Sequence, residues 1–390
     1  MTAGRAPLWP AAVALGALSL AAAACIRAEA APAPWQYFAY DQQVYLAIAR
    51  APFSSDPQVH HASGSWRLLP PLAARYLGMP LGGPERGFLV LTFSMFALLP
   101  AACLLWLDAL GVSRTTSIAC AAVMALAPPI VGLLAWDVVR VDAVGLLLLF
   151  LAATATVRGR GAWLCVIIAA LAFTKETALL GAFFALAWGV FVDRRLLRAA
   201  ALSAVLAVTI RTLLQRWIPP SPVYPFDNLK DFRVVMGSMS ATYAGRRLLL
   251  TTAGTWNLLV PLVAMAMASR RWTGRELALT GALGVAMIQL LFATDNERVI
   301  AAGYPFVLAW AALQLDAMDE RSRPWVGAAI VLAQLPWLLV MGRVWPVPPL
   351  DDTLPHIPPI RYVEIAIVLV SGVAAAIALT RRARPGMRPA

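Results

Sequence analysis

Long apolar runs, each closed by a short polar or arginine-bearing stretch, recur from one end of this chain to the other. Runs of that length and composition are the signature of a polytopic membrane protein. They predict about twelve helices of spanning length or slightly shorter, near 8–28, 86–106, 117–135, 143–157, 162–174, 177–192, 199–216, 248–268, 277–293, 299–315, 324–341 and 362–380. The expected fold class is all-α: a polytopic transmembrane helix bundle forming one domain over residues 1–390.

Composition strengthens that reading. The chain is 61% hydrophobic and 13% charged, with a mean hydropathy of +0.72. Its net charge of +12 would suggest nucleic acid in a soluble protein. Here the basic excess sits in short arginine clusters between apolar runs, where it reports topology, and no nucleic-acid partner is expected. Cys25, Cys103, Cys120 and Cys165 are scattered through apolar segments without metal or disulfide spacing. His60 and His61 are adjacent in a loop that offers no further ligands.

The arginine clusters set an orientation. Arg158 with Arg160, Arg194 with Arg195 and Arg198, Arg270 with Arg271 and Arg275, and Arg321 with Arg323 fall in alternate short loops. The tail RRARPGMRPA continues the alternation. The positive-inside rule assigns these loops and both termini to the cytoplasm, in a bacterial inner membrane. The first run ends in AACIRAEA, which contains a cleavage-like A-x-A site, and it reads as a retained anchor.

The loops left on the other face are 29–85, 137–142, 174–177, 217–247, 294–298 and 342–361. Asp41, Asp137, Asp142, Glu176, Asp295 and Glu297 therefore emerge together, with Arg67, Arg140, Lys175, Arg246, Arg247 and Arg298. Charges at span ends are costly to bury and tend to line a cavity or pair with one another. Asp137 and Arg140, three apart, serve either in a site or as a pair along one turn. Asp142 opens a span, where a carboxylate also stabilises a helix N-terminus. Lys175 and Glu176 interrupt what would otherwise be one apolar stretch from Ala162 to Val192, with an ion pair to another span as the structural alternative. Arg298, in TDNER, has the fork geometry for a phosphate, or for a salt bridge at the interface.

In the first loop, YDQQVYLAIA places Tyr40, Val44 and Ile48 at four-residue spacing, a stripe suited to a helix lying in the membrane interface. A second amphipathic piece, WRLLPPLAARYL, follows the polar segment SSDPQVHHASGS. Together they predict an interfacial platform above the bilayer.

The arrangement YDQQVYLAIARAPF … WRLLPPLA, with WDVVRVDAVGLLLL, FTKET and DNER…YPF, resembles the GT-C superfamily of polytopic glycosyltransferases, over about the first 310 residues. Many members carry an acidic pair in the first loop, whereas Asp41 is flanked here by Tyr40 and Gln42. The resemblance implies transfer of a sugar from a polyprenyl-phosphate-linked donor to a glycan, lipid or protein acceptor on the non-cytoplasmic face. It implies Asp41 as base, Glu176 as a second catalytic carboxylate, and Lys175, Arg298 and Arg67 against the phosphate. Arg140, Asp142, Asp295 and Glu297 complete the expected substrate-binding set. No cofactor or metal is assigned. Two alternatives stand beside this reading: a transporter or flippase for a lipid-linked or small anionic solute, and a non-catalytic protein of the same fold. Against transport, no repeat relates the two halves, and the charges gather at one face, away from the bilayer midplane.

Overall fold

The computed structural model describes residues 7–29, 39–52, 67–136, 138–217, 252–253, 255–288 and 301–335, with isolated positions at 338, 366, 370 and 377. Within these, the side chains of residues 29, 39–43, 133, 136, 215 and 217 are not described. No strand occurs among the described residues. The chain folds as α1 (Trp9–Glu29), α2 (Ala39–Arg50), α3 (Leu69–Gly78), α4 (Pro84–Ala109) and α5 (Arg114–Ala125). A π turn over Pro128–Gly132 leads into the short α6 (Leu133–Trp136). Then follow α7 (Asp142–Val157), α8 (Gly161–Thr174), α9 (Ala178–Phe191) and α10 (Leu197–Trp217). The last described helices are α11 (Leu259–Ser269), α12 (Gly274–Ile288), α13 (Tyr304–Asp316) and α14 (Ser322–Leu332).

Among the described residues, four segments are long and apolar enough to cross a membrane: Trp9–Ala28, Pro84–Ala109, Arg114–Gly132 and Arg194–Leu214. Their outer faces keep large apolar side chains in the open, as Leu98 and Leu105 of α4 and Leu202, Val205 and Val208 of α10 do. Such surface is stable against lipid and not against water. The run expected at 117–135 is a broken helix. Pro128 and Pro129 donate no backbone hydrogen bond, so the α-helix stops at Ala125.

The core is built around α13, whose residues from Tyr304 to Leu315 are all buried. A helix apolar on every side belongs in the middle of a bundle. Phe306 of α13 meets Phe184 of α9 with ring centroids 5.1 Å apart, and Phe184 meets Trp106 of α4 edge-on at 5.8 Å. The Trp106 indole N–H donates to the carbonyl of Pro305 at 2.7 Å, so its one polar group is satisfied at depth. Helices α3 and α4 touch backbone to backbone. A Cβ on Gly87 would lie 1.8 Å from the Ala74 carbonyl oxygen, so only glycine permits that approach.

The bundle has two distinct ends. At one, Arg158 pairs with Asp108 at 3.0 Å, joining the close of α7 to the close of α4. The Asp316 carboxylate, finishing α13, accepts from the Ser113 N–H and hydroxyl and the Thr116 hydroxyl at the start of α5. Arg114 donates to the Pro7 carbonyl, and Arg270 to that of Leu313. Gly159 turns the chain there with φ of 65°. Trp9, Trp163, Trp272 and Trp325, each at least 45% exposed, flank the arginine-bearing loops of this end. Tryptophan and arginine together mark a membrane–water boundary. The opposite end holds the close of α8, the starts of α7, α9 and α13, and helices α2 and α3.

Candidate functional site

Four stretches far apart in sequence bring charge to that opposite end. Lys175, Glu176 and Thr177 form the turn between α8 and α9, outside both helices. Arg67 immediately precedes α3, Arg211 lies on α10, Asp142 opens α7, and Arg140 stands just before it. Arg67, Arg140, Asp142, Lys175 and Arg211 are each no more than 9% exposed. Buried charges at this depth must be paired, and in a membrane protein they mark functional sites.

Glu176 is the hub. Its Oε2 accepts from the Arg67 guanidinium at 3.1 Å and its Oε1 from the Arg211 guanidinium at 2.6 Å. The same Arg67 donates through its other terminal nitrogen to the Tyr45 hydroxyl on α2 at 2.5 Å. Arg211 also reaches the Ala172 carbonyl at the end of α8. Unlike its arginine partners, the Glu176 side chain is 43% exposed. Burial tends to raise its pKa, but the charges of Arg67 and Arg211, a backbone hydrogen bond and the nearby Lys175 outweigh that. The carboxyl is held at about 2, down from 4.5, and is permanently ionised near neutrality. Such a group accepts hydrogen bonds and stabilises positive charge well, and takes up protons poorly.

Lys175 forms a buried ion pair with Asp142, 33 residues earlier. The alternative weighed for Lys175 from sequence, an ion pair with another span, is therefore present. Gly145, one turn into α7, makes room for it: a Cβ there would sit 3.7 Å from the lysine stem. The loop before α7 is fixed to α4 by the Thr92 hydroxyl, which donates to the Val138 carbonyl at 2.8 Å.

Of the residues expected from sequence, Arg67, Arg140, Asp142, Lys175 and Glu176 lie at this end. Asp41 falls on α2, one turn before Tyr45, but its side chain lies outside the described residues, as do Asp137, Asp295, Glu297 and Arg298. The loops near 217–247 and 342–361, most of 53–66 and the span near 362–380 also lie largely outside them. The stripe expected to face the bilayer behaves differently where it is described. Val44 and Ile48 are buried against Leu68 and against Leu214 of α10, because α2 is held down by the Tyr45–Arg67 contact. Two site residues escaped the sequence reading. Arg211 lies inside the run expected at 199–216, where a lone arginine among apolar residues is a usable signal. Tyr45 carried none. Among the described residues, no three His, Cys, Asp or Glu side chains gather as a metal site would require.

The fold and this cluster define an all-helical membrane bundle with a charged, partly open site at one end. No family model matches the chain, and no curated protein matches it. Among solved structures, it is similar to a cryo-EM structure of the arabinofuranosyltransferase AftD from Mycobacteria, with 16% identity over 98% of this chain and a TM-score of 0.48. A mutant of that enzyme matches at 14% identity over the full chain, with a TM-score of 0.49. The chain spans 27–29% of the length of those proteins.

Proposed function

We propose that the chain is a membrane glycosyltransferase that moves a sugar from a polyprenyl-phosphate-linked donor to an acceptor at the charged end of the bundle. The observation that carries this reading is the pair of buried arginines, Arg67 ahead of α3 and Arg211 on α10, converging on one half-exposed carboxylate at the rim of an apolar bundle. A lipid-linked donor needs an apolar groove for its tail, cations for its phosphate and a carboxylate beside the reacting carbon. The lipid-facing helices supply the first. Arg67, Arg211 and Arg140 supply the second, aided by Arg298 of the 294–298 stretch, while Lys175 is taken up by Asp142.

In the reaction, the acceptor hydroxyl oxygen attacks the anomeric carbon. The bond from that carbon to the phosphate oxygen breaks, and its electron pair leaves with polyprenyl phosphate. Asp41 takes the hydroxyl proton. Glu176, ionised across the neutral range, serves better opposite the positive charge that grows on the sugar ring than as a proton acceptor. Asp142, Asp295 and Glu297 orient the sugar and the flanking cations. The arginine-bearing end, with both termini, faces the cytoplasm of a bacterial inner membrane, so transfer occurs on the outer side.

Mass spectrometry of lipid-linked sugars and envelope glycans in a strain lacking the gene tests this. The expected result is loss of one glycan modification with accumulation of its polyprenyl-phosphate sugar. Unchanged glycans with altered solute uptake would replace this reading with a transporter.

A further inference from the structure

A small cavity lies beside the Lys175–Asp142 pair, where the reaction above has Asp142 orienting the sugar but names no partner for Thr177. Asp142, Lys175 and Thr177 form its polar side; Ile130, Leu149 and Ala302 close the apolar side. Thr177 occupies the N-cap position of α9, where a threonine hydroxyl ordinarily accepts from the first turn of the helix. Here it makes no capping bond. The side chain is 4% exposed, and its hydroxyl has no hydrogen-bond partner among the described residues. A buried hydroxyl without a partner forfeits its hydration for nothing, so such groups call for a ligand or an ordered water.

The chemistry of the pocket selects what fits. Lys175 and Asp142 pair with both side chains buried, so an anionic group would have to displace Asp142, whereas the Arg67 and Arg211 guanidinia meet a half-exposed carboxylate and carry five N–H donors each. A neutral hydroxyl meets no such competition: it accepts from Lys175 or Thr177 and donates to Asp142 or Thr177. The geometry points to this cavity as the subsite for one hydroxyl of the transferred sugar, with Thr177 and Gly145 as the residues that set sugar specificity. The inference rests on the glycosyltransferase reading and places the donor phosphate elsewhere, toward Arg67 and Arg211.

Gly145 supplies a clean probe. A Cβ at that position would meet the Thr177 hydroxyl and the Lys175 stem at 3.7 Å, ordinary contact distance, so Gly145→Ala fills space without displacing either. The test compares binding of polyprenyl-phosphate sugars and of bare polyprenyl phosphate to purified protein in nanodiscs, using a panel of sugars and their monodeoxy analogues. The parent should prefer one sugar and lose roughly tenfold in affinity for a single deoxy analogue. Gly145→Ala and Thr177→Val should abolish that preference while binding bare polyprenyl phosphate as the parent does. If the parent prefers a sugar and both variants keep its full deoxy profile, the subsite is wrong and the glycosyltransferase reading stands. If the parent binds none of these lipids, both fall together.

Discussion

Glu176 is where the site's electrostatics are most exposed to test. Its folded pKa of about 2 lies below the ordinary 4.5, so its ion pairs stabilise the fold fully above about pH 4.5 and are lost as pH falls toward 2. Thermal unfolding in nanodiscs should show the parent losing stability over that window and Glu176→Gln losing much less. Equal acid sensitivity of the two would show that the arginines do not hold this carboxylate. Asp41 carries the opposite expectation. Asp41→Asn should leave donor binding intact and slow turnover by about 10²–10⁴-fold, the usual cost of losing a general base. If Asp41 serves only the first turn of α2, Asp41→Asn would cost a little helix stability and turnover would persist. Which residues meet was only half legible in the sequence. Lys175 and Glu176 stood out because they break an apolar run. That Glu176 takes Arg67 and Arg211, and that Lys175 takes Asp142, depends on how α3, α7 and α10 converge, which no local spacing encodes.

The helices themselves were far more legible, since apolar length alone marks a segment that lipid or a bundle core must solvate. The runs read at 143–157, 162–174 and 177–192 fold as Asp142–Val157, Gly161–Thr174 and Ala178–Phe191. The run read at 117–135 is present as the spanning segment Arg114–Gly132, its α-helix interrupted at Pro128 and Pro129, and the reading erred where an apolar stripe found protein instead of lipid, as at Val44 and Ile48. Packing between elements leaves its own trace in glycine. Gly87 lies against the Ala74 carbonyl, so Gly87→Leu must push α3 away from α4 and with it the adjoining Arg67. Overpacking of this kind costs about 1–3 kcal/mol. Denaturant titration should show that loss for Gly87→Leu and almost none for Gly145→Ala; the reverse order would contradict the α3–α4 contact.

At the scale of the whole molecule, the two ends of the bundle differ: tryptophan and arginine loops at one, the charged cluster at the other. With Cys25→Ser removing an exposed native thiol, Ser63→Cys should react with a membrane-impermeant reagent in intact cells. Arg271→Cys should react only after permeabilisation, and the opposite pattern would invert the topology. That end-to-end asymmetry suits an enzyme that meets its lipid donor from within the bilayer and its acceptor from outside. The most direct measurement incubates the purified protein in nanodiscs with radiolabelled polyprenyl-phosphate sugars and envelope glycan acceptors. The account predicts label moving onto the acceptor with one polyprenyl phosphate released per sugar transferred, and loss of that transfer in Asp41→Asn. Donor that stays intact while the same protein, in sealed vesicles, carries it across the bilayer would contradict the account.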